Sequence, residues 1–208
     1  MHRALRPTGV ALVTALLLGS LAATCPARAA VAWDEAVAGD LSSDPLAPTV
    51  VSFSSGANVV SGSLSQPGAD LRDFLTFTLG PHQFLTGLVL DALVADGAGF
   101  QGINAGSASF VPDADTAGSF LGLEFVDGTS VGVDMLPALA SGLFGSTGFS
   151  LPLGPGTYTY VIQEVTPGQA SAYQLNFQVV PEPRVAGWLC LPAIAVVVCC
   201  RSRSVRMR

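Results

Sequence analysis

A run of sixteen residues without a charge, 185–200, constrains what this chain can fold into more than any other segment. As a helix the run would be about 24 Å long, against roughly 30 Å for the hydrocarbon core of a bilayer. Four arginines follow it directly: Arg201, Arg203, Arg206 and Arg208. Because arginine concentrates on the cytoplasmic side of a membrane span, we predict a transmembrane helix with a cytoplasmic basic tail. A buried helix of a soluble domain is the alternative.

A short proline motif, Val180-Pro181-Glu182-Pro183, precedes the apolar run. Each proline fixes its own φ angle and pushes the residue before it into extended geometry. We therefore expect the motif to form a stiff, exposed, strand-like segment, which suits the groove of a protease or a transpeptidase.

The motif, the apolar run and the basic cluster, in this order, resemble the PEP-CTERM sorting signal, the substrate tag of exosortase systems in Gram-negative bacteria. Pro181, Glu182 and Pro183 match the signature tripeptide, and the arginines of 201–208 match the basic end. The resemblance covers the last 29 residues of the chain. It implies recognition by a membrane-embedded exosortase, removal of the tail, and delivery to the cell surface or the exopolysaccharide matrix. Arg184 and the cysteines of the apolar run depart from the usual pattern.

The amino-terminal segment has the three parts of a secretory signal peptide. Arg3 and Arg6 form a basic start, and 10–23 is an apolar stretch of the expected length. The small residues around the predicted cleavage position are Ala27, Ala29 and Ala30. We predict a signal peptide over 1–29, with cleavage before Ala30. A first membrane helix and a lipoprotein modified at Cys25 are the alternatives.

Charge is distributed unevenly along the chain. Segment 31–183 holds all fifteen acidic residues and a single arginine, Arg72, and there is no lysine, so its formal charge is −14. Such a surface repels nucleic-acid phosphates and anionic polysaccharide, which argues against binding of DNA or RNA. The same surface attracts divalent cations, although acidic residues also serve simply to keep a secreted domain soluble.

The middle of the chain offers few groups for catalysis. The cysteines all lie in the predicted signal peptide or the apolar run: Cys25, Cys190, Cys199 and Cys200. We therefore expect no disulfide, no thiol chemistry and no zinc site of cysteine and histidine in the mature domain. Its one histidine, His82, is interpreted as an exposed turn residue. Without lysine or a Gly-x-Ser-x-Gly motif, we predict a non-enzymatic protein without a cofactor.

Asp113 and Asp115 are the candidate metal ligands. They alternate on one loop, and carboxylate oxygens at positions i and i+2 can converge on calcium. The loop Asp96-Gly97 and Asn104 could contribute further oxygen atoms. Acidic turns are ordinary in an acidic domain, and a glycosidase would also use a carboxylate pair, so both alternatives stay open.

Alternation of apolar and polar residues indicates β-structure throughout the middle of the chain. The clearest run is 173–179, in which every second residue is apolar. The predicted strands are 49–54, 58–64, 75–79, 84–94, 121–126, 157–165 and 173–179. Residues 55–57 are expected to form a hairpin turn, and 135–141 one helical turn. Tyr158, Tyr160 and Tyr173 are interpreted as residues of the core or its edge.

Seven to nine short strands with turns between them predict an antiparallel β-sandwich or jelly roll. Segments 153–161 and 173–179 resemble the closing strands of bacterial pre-peptidase C-terminal-like sandwiches, and 70–79 resembles an earlier strand of that fold. This second resemblance implies a fold and no function.

The sequence thus predicts a signal peptide over 1–29, an acidic all-β domain over 30–179 and a sorting segment over 180–208. We expect the Sec translocon and signal peptidase to bring the chain across the inner membrane of a Gram-negative bacterium. The membrane then anchors it until an exosortase processes it for the cell surface or matrix, where exopolysaccharide is a candidate partner. A secreted calcium- or carbohydrate-binding module is the alternative.

Overall fold

The computed structural model of the chain describes residues 29–65, 70–94, 98–113, 115–166 and 170–182. These residues form nine strands in two sheets with few helices, which confirms the predicted all-β fold. The strands are β1 (Ala30–Asp34), β2 (Thr49–Val50), β3 (Gly56–Ser65), β4 (Arg72–Leu79), β5 (Gln83–Val94), β6 (Gly99–Ala105), β7 (Gly122–Val126), β8 (Gly156–Glu164) and β9 (Ala170–Pro181). The helices are α1 (Glu35–Ala38), α2 (Leu136–Ala140) and three 3₁₀ turns, Ala117–Ser119, Gly128–Ser130 and Leu143–Gly145. Helix α2 confirms the helical turn predicted at 135–141.

The first sheet has the strand order β1-β3-β9-β5, and the second has the order β2-β4-β8-β6-β7. Neighbouring strands are antiparallel except at two edges, where β1 pairs with β3 and β2 pairs with β4 in parallel. The prediction of purely antiparallel pairing is therefore wrong at these edges. Because the chain alternates between the sheets from β1 to β4, these strands reach their neighbours by long crossovers, which permit parallel pairing.

The hairpin predicted at 55–57 is also wrong. Strand β2 ends at Val50 in the second sheet, whereas β3 begins in the first sheet. The buried side chain of Asn58 donates to the carbonyls of Ser54 and Gly56 and accepts from the Ser54 N–H. These bonds satisfy the backbone of the segment that crosses between the sheets, so this segment needs no partner strand.

The main core lies between the two sheets. As the alternation predicts, the buried side chains of β9 include Tyr173, Leu175, Phe177 and Val179. Phe53, Phe77 and Phe177 pack together with ring centroids 4.8–5.8 Å apart. Aromatic pairs at such distances contribute about 0.5–1.5 kcal/mol each beyond the apolar area that they bury. Tyr158 and Tyr160 are buried in the same core, which confirms their predicted role.

The outer face of the second sheet is covered as well. Phe74 and Val161 point away from the main core and pack with Ala117, Phe120 and Leu123, which follow β6 in the chain or belong to β7. Strand β4 is therefore buried on both faces over much of its length. The alternation of apolar and polar residues predicted only 75–79 of this strand. Because burial on both faces removes the alternation, the earlier residues of β4 carried no such signal.

Two strands were missed by the sequence analysis, β1 and β6. Strand β1 is short and mostly exposed or half-buried, so no alternation marks it. Strand β6 contains two glycines, which weaken a strand signal. Gly102 is nevertheless required there, because a Cβ atom at this position would lie 2.8–2.9 Å from the side chains of Leu123 and Phe120.

The two ends of the first sheet are formed by different segments of the chain. Ala30 pairs with Asn58, and Asn58 pairs with Phe177, so β1 begins where β9 ends. We call this the proximal end, defined by Ala30 and Pro181. The opposite end, defined by Glu35 and Tyr173, is the distal end. Six residues separate Val179 from Tyr173 along β9, or about 20 Å.

No helix within the described ranges combines the length and the apolar character needed to cross a bilayer. The predicted signal helix up to residue 28, the predicted membrane helix at 185–200 and the basic tail at 201–208 all lie outside those ranges.

Candidate functional site

The first three residues of the proline motif lie at the proximal end. Val180 and Pro181 are the last residues of β9, where they pair with Phe84 and Gln83 of β5. Val180 is exposed, and Pro181 and Glu182 lie at the surface with it. The motif thus begins as an extended, accessible strand end, as the prolines predict, while Pro183 lies outside the described residues.

Glu182 is held to the body of the protein by His82. The Glu182 N–H donates to the His82 carbonyl over 2.6 Å, and the two side chains form an ion pair through Nδ1 and Oε2. The His82 side chain is 76 % exposed, which confirms the predicted exposed turn histidine. Its link to Glu182 was missed because the two residues are 100 positions apart in the sequence.

The predicted signal cleavage position adjoins the first strand. Ala29 is the first described residue, it is exposed, and Ala30 begins β1. Ala27 lies outside the described residues. Cleavage before Ala30 therefore stays a prediction, and its position coincides with the start of the folded body.

Asp113 and Asp115 lie on one loop, and hydrogen bonds to the side chain of Asp113 hold this loop closed. Asp113 Oδ1 accepts from the N–H groups of Asp115 and Thr116 over 2.9 and 2.8 Å and from the Thr116 hydroxyl over 3.0 Å. The bonds from Thr116, with that from Asp115, hold the pKa of Asp113 below its usual value. Asp113 thus has a loop-forming role, and calcium binding by this pair stays a prediction.

Asn104, one of the two further sources of oxygen expected for that calcium site, is not placed to help. The Asn104 side chain is buried, donates to the carbonyls of Ala105 and Ala108, and accepts from the Ser109 hydroxyl. Its polar atoms are therefore engaged in shaping its own loop. The Asp96-Gly97 loop lies outside the described residues.

A cavity of about 270 Å³ lies beside this loop. Its walls are mostly apolar: Phe100, Pro112, Asp113, Leu123 and Phe144. The rings of Phe100 and Phe144 meet edge to face at 5.6 Å. The cavity offers one carboxylate that is already hydrogen-bonded, so it presents an apolar surface rather than a set of ligands.

The distal end brings together four carboxylates, which we call the distal carboxylate cluster: Glu35, Asp40, Asp70 and Asp73. Carboxylate oxygens of Glu35, Asp40 and Asp73 lie within 4.8 Å of one another. Asp70 is close enough for Asp40 and Glu35 to influence its protonation. Glu35 and Asp40 follow β1 of the first sheet, whereas Asp70 and Asp73 lie at the start of β4 in the second.

Glu35 is fixed in the cluster by backbone bonds. It is the first residue of α1, whose start is capped by Asp34 accepting from the Ala36 N–H over 3.1 Å. Its two carboxylate oxygens accept from the N–H groups of Leu41 and Ser63 over 3.1 and 2.7 Å. The carboxylate therefore bridges the segment after α1 to strand β3.

Asp73 is the most deeply buried member of the cluster. It is 1 % exposed, and its Oδ2 accepts from the Tyr173 hydroxyl over 2.7 Å. Its Oδ1 is buried and has no hydrogen-bond partner among the described residues, and the same holds for Asp70 Oδ1. Buried polar atoms in proteins are almost always paired, so two unpaired carboxylate oxygens in one cluster require an explanation.

Burial and mutual repulsion oppose ionisation of the cluster. Burial, with a smaller effect of the Asp40 and Glu35 charges, raises the pKa of Asp70 to about 6. Burial raises the pKa of Asp73 to about 9 against the opposing effect of its bond from Tyr173, and the other three carboxylates add to the increase. Burial also raises the pKa of Glu35. In each case the larger cause is burial of the carboxylate, and the neighbouring carboxylates add to it.

No basic side chain in the described residues compensates the cluster. Arg72, the single arginine of segment 31–183, directs its Nε to Gln163 on β8 over 2.7 Å. It acts on Asp113, whose pKa it helps to lower, and not on the cluster. The ion pair found in the described ranges, His82 with Glu182, lies at the proximal end.

Two members of the cluster, Glu35 and Asp40, line a groove of about 470 Å³. Its lining combines α1, β3 and β9: Asp34, Glu35, Ala36, Asp40, Ser61, Gly62, Ser63, Ala172 and Tyr173. Gly62 lies opposite Tyr173 in the sheet, and a Cβ atom there would be 2.5 Å from the Tyr173 hydroxyl and 2.8 Å from Glu35 Cδ. The absence of a side chain at Gly62 is what lets these two groups reach the cluster.

The sequence analysis missed this cluster, although one signal was present. Asp73 has the same phase as Leu75, Phe77 and Leu79 in the alternation of β4, so it occupies a core-facing position. A charged residue in such a position indicates either a paired group or a functional one. Its neighbours in space, Glu35 and Asp40, are more than 30 positions away in the sequence. Neither of them lies at a core-facing position of a predicted strand.

The chain matches no protein-family model and no curated protein sequence.

Proposed function

We propose that this chain is an exported, non-enzymatic protein of the cell surface or extracellular matrix, sorted by an exosortase through its carboxyl-terminal segment. The observation that carries the proposal is the order of three parts in the sequence: the motif Pro181-Glu182-Pro183, the charge-free run 185–200 and the four arginines that follow. Each part has its own physical role, namely an accessible substrate, a membrane anchor and an orientation signal.

The geometry of the proximal end supports this proposal. The predicted signal peptide joins the body at Ala30 and the sorting segment leaves it at Pro181, and both positions lie at the same end of the first sheet. A body attached to a membrane through either segment would therefore present the same face to the bilayer. The distal end would then point away from the membrane.

The state of the proline motif also supports recognition by an enzyme. A protease or transpeptidase groove binds an extended segment through its backbone and selected side chains. Strand β9 delivers Val180 and Pro181 in extended geometry, and Glu182 is 51 % exposed. An exposed ion pair such as that of His82 with Glu182 contributes only about 0–1 kcal/mol, so an exosortase can displace it.

The route of the chain follows from the two terminal segments. The Sec translocon and signal peptidase would act first, at 1–29 of the chain. The membrane would then hold the run 185–200 until the exosortase acts near Pro183 and releases the acidic body to the surface or to exopolysaccharide. Nothing in this route calls for catalysis by the body itself, whose one histidine is engaged with Glu182.

Mass spectrometry of the exported protein tests the proposal. In cells with a functional exosortase we expect the protein to lack Arg208 and to begin at Ala30. In matched cells without the exosortase we expect Arg208 to be retained. Retention of Arg208 in both strains would refute processing, and retention of Met1 would refute export by the predicted signal.

A matched pair of variants sharpens the test. Glu182→Gln removes the charge of the central motif residue, and we expect it to leave a larger fraction of the chain unprocessed. Asp115→Asn makes the same type of change on an exposed loop of the body and should be processed like the wild type. Equal processing of the two variants would contradict recognition of Glu182.

A further inference from the structure

We propose that the distal carboxylate cluster of Glu35, Asp40, Asp70 and Asp73 is a calcium site that ties the first sheet to the second. This site is distinct from the loop of Asp113 and Asp115. It does not depend on the sorting proposal, since it is built entirely from residues of the folded body.

The spacing of the oxygen atoms fits calcium. Calcium binds oxygen ligands at about 2.3–2.6 Å, so two oxygens on one ion are at most about 5 Å apart. The oxygens of Glu35, Asp40 and Asp73 lie within 4.8 Å of one another, which is inside that limit. Magnesium demands a near-ideal octahedron and keeps several of its own waters, whereas calcium accepts an irregular set of protein oxygens. Calcium is therefore the better match.

Asp73 provides an observation independent of the clustering. Its carboxylate is 1 % exposed, and its Oδ1 has no hydrogen-bond partner in the part of the chain that the structure describes. Leaving a buried polar atom unpaired costs about 1–3 kcal/mol, and more for a charged group. Asp70 Oδ1 is unpaired in the same way. A cation bound in the cluster would give Asp73 Oδ1 the partner that the described residues do not supply.

Within the described ranges, no basic side chain of the protein is that partner. The chain has no lysine, and Arg72 is directed to Gln163 on the other side of β4. A divalent ion is the partner that an extracellular acidic domain can take from its surroundings.

The structure also gives an ion access to the cluster, and hydrogen bonds hold the proposed ligands in place. The groove bordered by Gly62 and Tyr173 gives solvent access to Glu35 and Asp40 of the cluster. The backbone N–H groups of Leu41 and Ser63 orient Glu35, and the Tyr173 hydroxyl orients Asp73. Ligands held by a second layer of hydrogen bonds are the usual arrangement of metal sites in proteins.

The bound ion would have a structural role. Glu35 and Asp40 belong to the segment after β1, and Asp70 and Asp73 precede or begin β4, so the ligands come from both sheets. The predicted mature domain contains no cysteine. Calcium would thus supply a crosslink that a disulfide supplies in many other secreted domains.

Calcium titration of the full chain, purified in detergent and treated with a chelator, tests this inference. We expect one site with a Kd of about 0.1–1 mM, the range of extracellular calcium modules, by calorimetry. At about 10 mM calcium the midpoint of thermal unfolding should rise by roughly 3–8 °C. Absence of both binding heat and a midpoint shift would overturn the proposal, as would an equal shift with magnesium.

Variants locate the site. Asp73→Asn and Asp40→Asn should each weaken calcium binding at least about tenfold and remove most of the midpoint shift. Asp40 is exposed, so its variant remains informative if Asp73→Asn folds poorly. Asp115→Asn is the matched control and should keep the full shift. Loss of the shift in Asp115→Asn, or its retention in both cluster variants, would place calcium elsewhere. Because no exosortase is present, neither result bears on sorting.

Discussion

Carboxylate side chains have different surroundings at the two ends of the first sheet. At the proximal end, one carboxylate, Glu182, is paired with one histidine, His82, and both side chains are largely in water. At the distal end, four carboxylates share a partly buried space, and no basic residue in the described ranges faces them. The difference teaches that an exposed pair is easily separated, whereas buried carboxylates must either hold a proton or meet a counter-ion.

This contrast fits the different tasks that we propose for the two ends. A weakly held segment suits a tag that an enzyme must grasp, and the proximal end holds the first part of the proline motif. A site that gains its counter-ion outside the cell suits a domain that becomes stable after export. The following experiments compare the ends, from the largest expected effect to the smallest.

Gly62→Ala should cause the largest loss of stability. The added Cβ atom would lie 2.5 Å from the Tyr173 hydroxyl and 2.8 Å from Glu35 Cδ, and hydrogen bonds hold both groups in place. We expect the free energy of unfolding to fall by about 3 kcal/mol, as for other overpacked sites. Chemical denaturation of the purified full chain would measure it.

Gly118→Ala is the matched control for that variant. A Cβ atom there would meet nothing within 4 Å. Its effect on the free energy of unfolding should be within about 0.5 kcal/mol, as for ordinary surface changes. If both variants behaved alike, the close approach at the distal end would have no energetic importance.

Removal of calcium should come next in size. For a Kd of about 0.1–1 mM, transfer from about 10 mM calcium to a chelator should lower the free energy of unfolding by about 1–3 kcal/mol. Asp73→Asn should make stability insensitive to the transfer. Glu182→Gln, at the proximal end, should retain the full sensitivity. Denaturation curves with and without calcium would decide between these outcomes.

Two tyrosines allow the same change at each end. Tyr173 donates to Asp73 at the distal end, and Tyr158 donates to the Gly154 carbonyl over 3.0 Å near the proximal end. Tyr173→Phe leaves a carboxylate oxygen of a buried cluster unpaired and should cost about 2 kcal/mol, against about 1 kcal/mol for Tyr158→Phe. Equal costs, measured by thermal unfolding, would show that the cluster imposes no special demand.

The smallest effect is expected at the ion pair of the proximal end. His82→Ala removes the partner of Glu182 from an exposed position, so the free energy of unfolding should change by less than about 1 kcal/mol. Added salt should reduce even that change. A larger loss of stability would mean that the proline motif is an integral part of the body and not an easily displaced tag.

The sequence predicted those parts of the fold that repeat locally. The alternation in β9 and the turn residues before β8 give the strands and the core tyrosines without any knowledge of the tertiary structure. The parallel edge pairs were not predicted, because they depend on which sheet each segment joins, and β2 with two residues carries no pattern of its own. Strand β6 was missed because its glycines serve packing against Phe120 rather than strand propensity.

The candidate sites were predictable to different degrees. The proposed sorting motif is contiguous, so its residues could be named from the sequence, and its sorting role stays a prediction. The calcium prediction at Asp113 and Asp115 rested on proximity in sequence, whereas the structure ties Asp113 to its own loop and gathers carboxylates from distant segments at the distal end. The unexpected aspartate in the core-facing phase of β4, Asp73, was the one local sign of that cluster.

The central claim is that this chain leaves the cytoplasm and loses its carboxyl-terminal segment. The intact mass of the protein recovered from the cell surface and the surrounding matrix tests this most directly. The account predicts a species that begins at Ala30 and ends near Pro183. A single species running from Met1 to Arg208 and recovered from the cytosol would contradict it.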